Sequence, residues 1–501
     1  MNPNPNPSPR RPLWFRVLRG FLFLGISLVT LGALVWAFEN WRGERAWQAL
    51  VREHAAKGDP LDGPLLVPEK VPDDQNAAMT PLLRPLREFD RVNGEIVWRD
   101  SNALARFNAL ALPQQDAREA RTPEGRTALA HWQTAFRSAG DFPLPASPGT
   151  PEADILAALG RWKAELDELD AASRQPHARF QQRFGEDVDM LLPQLAAVKK
   201  ISNLLQLRCA ARLAAGDTEG ALADIEFNER WARALSGDPL VITELVAIAI
   251  ESIGTRMAWE GLVDHRWNDA QLQRLQGLFA ARRPREDLVR AMRGERRFAL
   301  AQYEGWVRNT GHLSGETAEN LGFPHPARSL PRGWVRQNQI SLVRYHEILA
   351  ARYAQWIAGD LPAVQAGEDP VDQLKRERPG IYAKLTLMLA PAYARTMEKT
   401  DWLLTITRMA EIACALERYR LVHAQYPESL DALTPSLISA LPSDPCTGKP
   451  FQYRRTGDAM YQLYSLGLNG RDDGGKFVRD DAVNDWAWPM AVPMDRKERM
   501  F

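Results

Sequence analysis

The first strong feature along the chain is an uncharged apolar run, GFLFLGISLVTLGALVWAF, from Gly20 to Phe38. With Val17 to Arg19 it reaches the roughly 20 residues a helix needs to cross about 30 Å of hydrocarbon, so the pattern predicts a transmembrane helix over 17–38. Behind it the periodicity changes. Trp41, Arg45, Trp47, Leu50 and Val51 fall at intervals that suit a short amphipathic helix leaving the membrane, and Gly58-Asp59-Pro60 stops it. Pro60, Pro64, Pro68, Pro72 and Pro81 then impose an extended crossing, because each removes a backbone donor and restricts the residue before it. A short strand pair is expected around Gly94 to Trp98. The run DFPLPASPGTPE, Asp141 to Glu152, reads as a linker.

From Glu152 onward apolar positions recur at steps of three and four. Ile155, Leu159, Trp162, Leu166 and Leu169 make one such face, and similar faces run through 187–215, 218–236 and 239–262. A break at Gly216-Asp217, followed by Thr218 and the small residues Gly220, Ala221 and Ala223, predicts an antiparallel helix pair. That pair resembles a tetratricopeptide hairpin, with an ordinary helical bundle as the alternative. Residues 310–335 are rich in Gly, Pro, Ser and Thr and read as a long surface loop. Helical pattern resumes over 337–357 and 372–376. A run from Met397 to Ala424 then carries Ile406, Met409, Ala413, Leu416, Tyr419 and Val422 on one face. Finally Phe451 with Tyr453, and Tyr461 with Leu463, alternate on two strands about a turn at Thr456-Gly457-Asp458. The expected fold class is mostly α: a single N-terminal transmembrane helix, a helical, partly tetratricopeptide-like body, and a small α+β domain with an antiparallel sheet.

Charge narrows the function. The 501 residues hold 63 Lys+Arg against 63 Asp+Glu, without the basic excess that a nucleic-acid binder gathers to neutralise phosphates. Arg10, Arg11, Arg16 and Arg19 precede the apolar run and Glu39 follows it, which orients the N-terminus to the cytoplasm and the bulk to the periplasm. The length and flanks favour an uncleaved anchor over a signal peptide. Three cysteines are too few for a disulfide framework: Cys209 and Cys414 read as buried helical thiols, and Cys446, in a turn, as an exposed one. The familiar catalytic and phosphate-binding spacings are missing from the sequence. The eight histidines are scattered singly, with His346-Glu347 the one close His-acid pair. Glu165, Asp167, Glu168 and Asp170 read as a solvated helix face. Trp162, Trp231, Trp259 and Trp402 fall on apolar faces, where packing is the default role. Pro72-Asp73-Asp74-Gln75-Asn76 reads as a capped helix start.

The C-terminal segment has an ordered set of landmarks: Tyr426-Pro427, Ser429-Leu430, Leu433, Leu441-Pro442, Asp444-Pro445, Gly448, Pro450, Tyr453, Tyr464-Ser465-Leu466-Gly467 and an acidic stretch ending at Trp486. In this order they resemble the soluble C-terminal domain of the major pseudopilin of type II secretion. The resemblance implies a calcium ion on the loop after the Ser-Leu-Gly turn, with Asn469, Asp472, Asp473, Asp480, Asp481 and Asp485 as the matching ligands. Asn469 stands where that family carries an acid, and Arg471 places a cation inside the loop. The other reading of these residues is a solvated acidic loop. The whole chain, through NWRGERAWQALVREHAAKGDPLDGPLLVPEKVPDDQNAAMTPLL, is similar to a family of uncharacterised single-span proteins of Verrucomicrobia-like and Planctomycetes-like bacteria, which implies architecture and no activity.

The resulting organisation is a disordered cytoplasmic tail over 1–16, the transmembrane helix over 17–38, a juxtamembrane region over 39–140, a linker over 141–151, a helical domain over 152–395, a pseudopilin-like domain over 396–490 and a tail over 491–501. The expected protein is a non-enzymatic, membrane-anchored envelope protein of the inner membrane that acts through a protein partner. Two alternatives stay open: an adaptor or component of a type II secretion or pilus-like system, and an envelope-polymer hydrolase with an unrecognised carboxylate pair.

Overall fold

The structure, a computed structural model, describes residues 13–61, 71–92, 95–116, 119–122, 125–180, 192–308, 331–358, 369–378, 380–457, 460–475 and 485–488. It is mostly helical. The first helix, α1 (Leu13–Ala56), is followed by a two-stranded antiparallel sheet, β1 (Phe89–Val92) with β2 (Glu95–Trp98). The helices α2 (Ser101–Asn108), α3 (Leu129–Ala139), α4 (Pro151–Leu159) and α5 (Lys163–Ser173) come next. They lead into the longer α6 (Pro193–Ala214), α7 (Thr218–Ser236), α8 (Val241–Val263), α9 (Asp269–Ala280) and α10 (Pro284–Arg308). After α11 (Arg332–Ala358), α12 (Pro370–Glu377) and α13 (Gly380–His423), the chain ends in a three-stranded antiparallel sheet. Its strands, β3 (Gln452–Gly457), β4 (Met460–Ser465) and β5 (Trp486–Trp488), lie in sequence order. Most of the loop expected over 310–335, the first twelve residues of the N-terminal tail and the tail at 491–501 lie outside the described residues.

The chain divides into two compact units, the first formed by Met1–Pro64, Ala299–Glu347 and Asp369–Leu389 and the second by Leu65–Phe298, Ile348–Glu368 and Ala390–Phe501.

In the first unit α1 is one unbroken helix of 44 residues, long and apolar enough to cross a membrane. Its leading part exposes large apolar side chains throughout, with Phe23 at 72% and Val29 at 74%. The sequence pattern suggested a separate amphipathic helix after the span. The structure instead continues α1 to Ala56 and buries Trp47, Leu50 and Val51 against Leu300, Tyr303, Trp334, Val335 and Leu385. Gly58, with φ 75°, ends the run as its sequence signal predicts. Along α1, Gly333 faces Glu39, Asn40 and Gly43, Arg336 bonds Glu44 at 2.8 Å, Arg344 bonds Glu53 at 2.9 Å, and His54 faces Glu347 at 3.1 Å. The two series of partners advance together, so α11 runs parallel to α1. The helices meet most closely at Gly43 and Gly333, where a Cβ on either residue would collide with backbone of the other helix.

In the second unit a single apolar cluster joins α4 to α9, the later part of α13 and the C-terminal sheet. The turn between α6 and α7 forms as its residues predict: Gly216 takes φ 81°, and the Asp217 carboxylate caps α7 by accepting from Gly220 N at 2.9 Å. Trp162, Trp231 and Trp259 pack inside the cluster, and Trp402 lies half-buried against it. Asn76 is a cap, as expected. Its side-chain oxygen accepts from Ala78 N, and it also accepts from Arg179 N at 2.8 Å, tying this turn to a segment a hundred residues on.

Four expectations are corrected here. The last long helix starts at Gly380, passes through Pro391, and exposes Val422 at 76%. Cys446 is fully buried. The 141–151 segment is an irregular loop, yet it closes a helix pair instead of separating bodies, because Asp154 of α4 accepts from Gln133 and Arg137 of α3. Phe451, Leu463 and Trp488 likewise share the cluster that holds Leu222 and Trp231, and 395/396 falls inside the unbroken α13.

Candidate functional site

The sequence placed its candidate ligands on the loop after β4. Gly467, Gly470, Gly474 and Gly475 all take positive φ there, which lets the backbone turn tightly over the residues that follow β4. Asp485 lies fully buried at the root of β5. Its Oδ2 accepts from Asp473 N and Gly475 N, each at 2.8 Å, while Oδ1 is buried and meets no donor among the described residues. Burial pushes the Asp485 carboxyl above its ordinary pKa. The two amide bonds oppose that shift and the charges of Asp473 and Asp472 add to it. Asp472 Oδ1 accepts from Tyr464 OH at 3.0 Å and from Gly474 N at 2.9 Å, and Asn469 reaches Asp473 at 3.3 Å. Asn469, Asp472, Asp473 and Asp485 are thus brought onto one loop, while Asp480 and Asp481 lie outside the described residues. Among the described residues no three His, Cys, Asp or Glu side chains converge as metal ligands.

The neighbouring landmarks are structural joints. Asp444 is buried, and its carboxylate accepts from Cys446 N at 2.9 Å, Thr447 Oγ1 at 3.0 Å and Ser465 Oγ at 2.9 Å, which staples the Asp-Pro turn to the end of β4. Tyr453 OH donates to Pro427 O at 2.8 Å. Tyr426 OH donates to Glu417 at 2.9 Å. Burial alone would raise Glu417, but the bonds from Arg420, His265 and Tyr426 prevail and hold its pKa below the usual value.

A second constellation, which the sequence reading missed, lies between α7, α8 and α13, around Arg282 on the turn after α9. Arg282, 6% exposed, clasps Glu229 with Nε at 2.9 Å from Oε2 and with Nη2 on Oε1, and its Nη1 donates to Thr255 Oγ1 at 2.8 Å and Thr407 Oγ1 at 3.3 Å. Glu251 stands 3.5 Å from the same guanidinium. One cation therefore serves two buried carboxylates, and burial drives Glu251 upward. Glu244, 2% exposed, forms no such clasp among the described residues, and the charge of Arg290 opposes its shift only weakly. Burial, with the nearby charges of Asp287 and Glu251, pushes it up to about 8, and its Oε2 meets no donor among the described residues. The available signal was Glu244 and Glu251 seven residues apart on a largely apolar helix, which puts both on its buried face.

The other singled-out residues resolve simply. Glu347 does meet a histidine, but it is His54 of α1. Asp167 pairs with Lys163 on the surface, whereas Asp170 binds Arg230 and Glu168 accepts from Leu82 N at 2.7 Å, so α5 is only partly a solvated face. Compared with protein families, curated proteins and solved structures, the chain finds no match.

Proposed function

We propose that the chain is a non-enzymatic envelope protein, held in the inner membrane by α1 with its N-terminus cytoplasmic and its body periplasmic, and that this body acts by binding a protein partner. The supporting observation is the contrast along α1. From Trp14 to Phe38 its large apolar side chains are exposed, whereas Trp47, Leu50 and Val51 further along are buried in protein. A helix that satisfies its own backbone and presents such a surface is suited to hydrocarbon. The helix pair α6 and α7, with its tetratricopeptide-like turn, supports a partner-binding body. A periplasm-active reporter fused after Arg52 should be active and stay in the membrane fraction. A soluble, shortened product would instead mean that the span is a cleaved signal.

A second reading, an adaptor of a type II secretion or pilus-like system, draws on the C-terminal segment. There a long helix leads through the Asp444 turn to an antiparallel three-stranded sheet, the arrangement the pseudopilin resemblance implies. In that reading Asp485, with Asp472, Asp473 and Asn469, would hold a calcium ion. The buried Oδ1 of Asp485 fits such a role, because a carboxylate oxygen without a donor is a cost that a cation would remove. Added calcium should raise the thermal unfolding midpoint of the full chain and chelator should lower it, and Asp485→Asn should abolish the difference. Equal midpoints in wild-type protein would remove calcium from the account. Mild crosslinking in native membranes followed by affinity purification should recover pseudopilins or their platform if the adaptor reading holds.

A further inference from the structure

We infer that the first unit lies directly on the bilayer and binds its phospholipid headgroups with residues far apart in sequence. The inference rests on the reading of α1 as a membrane anchor. From Phe38 to Gly43 is about 7.5 Å of helix, about the depth of one headgroup layer. Within that rise two other helices begin. Gly333, the second residue of α11, donates its N–H to Asn40 Oδ1 at 2.9 Å. Tyr382, near the start of α13, donates to Glu39 at 3.2 Å, and the Arg42 guanidinium stacks over its ring at 4.8 Å. The body therefore starts where the hydrocarbon ends, with no stalk between them.

The side chains exposed at this level suit an interface. Trp41 is 58% exposed and Ile381, beside Tyr382, is 59% exposed. Arg45 is exposed and lies over the Trp41 ring at 5.5 Å, and Arg332 is exposed at the first residue of α11. The carboxylates at this end are engaged within the protein: Glu39 with Arg42 and Tyr382, Glu44 with Arg336. What faces outward is aromatic, aliphatic and cationic, the combination that partitions to the headgroup region and bonds phosphodiesters. Its continuity with the span identifies the occupant as the leaflet from which α1 emerges.

The test uses full-length protein carrying Ile381→Cys or Arg332→Cys, labelled with an environment-sensitive fluorophore. The protein is reconstituted into vesicles of equal parts phosphatidylcholine and phosphatidylglycerol that contain a headgroup-level quencher lipid. Lys57→Cys is the control, since Lys57 is exposed and lies about 28 Å further along α1 than Phe38. Labels at 381 and 332 should shift to shorter emission wavelength and lose intensity to the quencher, and the label at 57 should do neither. If the protein resists carbonate extraction yet the labels at 381 and 332 behave like the one at 57, the docking is overturned and the anchor stands. If carbonate releases the protein, both readings fall.

Discussion

Arg285 and Asp401 form a buried clasp that reaches into four parts of the second unit. Arg285 Nε and Nη2 donate to Asp401 Oδ1 at 2.9 and 2.6 Å, Nη1 donates to Trp356 O at 2.7 Å, and Nη2 also donates to Pro445 O at 2.9 Å. Trp356 closes the cluster from the other side, its Nε1 donating to Asp401 at 3.0 Å while its ring lies 4.8 Å from the guanidinium. The clasp thus ties α10, α11 and α13 to the Asp-Pro turn that precedes β3. Asp401→Ala would leave a guanidinium buried without its counter-charge, which costs about 3–5 kcal/mol in such sites. We expect a clear drop in thermal midpoint and early protease cleavage around Pro445. An unchanged midpoint would mean that the pair carries no net stability here.

The approach of Gly43 to Gly333 predicts a different kind of failure. A side chain at either position meets backbone, which cannot rotate aside, so Gly333→Leu must separate α1 from α11. Trp47 and Val51, buried along that contact, should then become accessible, and cleavage after Arg52 or Lys57 should accelerate in membranes while insertion of the span is unaffected. Limited proteolysis followed by mass spectrometry reads this directly.

Local signals carried much of the architecture. The long apolar helix, the stop at Gly58, the α6–α7 turn and the strand pairs each depend on a few neighbouring residues whose physics is complete within a short window. The errors fall where a distant partner decides. Trp47 was readable as amphipathic, but its burial depends on Trp334 and Leu385, some three hundred residues away. Val422 shares the spacing of Leu416 and Tyr419, yet α13 outruns the surface that would cover it. Asn469, Asp472 and Asp473 stand close together in the sequence, so a short window shows that they share a loop. The Arg282 cluster was not legible in this way, because Glu229, Glu251, Thr255 and Thr407 come from three helices.

Thiol chemistry tests the burial directly. Cys209, Cys414 and Cys446 are all buried and free, and burial pushes each thiol upward from its ordinary pKa. Native protein should therefore take up no maleimide over minutes at neutral pH, and all three should label together on unfolding. Selective labelling of Cys446 in the native state would contradict its place beneath Thr405, whose hydroxyl lies 3.6 Å away.

Glu244 makes stability depend on pH in the direction opposite to a paired carboxylate. Its folded pKa is pushed up to about 8, above the ordinary 4.5, chiefly by burial and then by Asp287 and Glu251. The folded state therefore holds a proton that the unfolded chain has released, and stability must fall as pH rises between those values. The shift is about three and a half units at about 1.36 kcal/mol each, which sets an upper bound of about 5 kcal/mol. Glu53 has the reverse sign: Arg344 and Lys57 hold it at about 2, so its contribution is present above 4.5 and lost progressively as pH falls to about 2. Glu244→Gln keeps the neutral shape and removes the titration. It should match wild-type protein at pH 5 and unfold at a higher temperature at pH 8, with the difference opening steadily in between. Parallel curves for the two proteins across that range would mean that Glu244 reaches solvent or a cation in the native state.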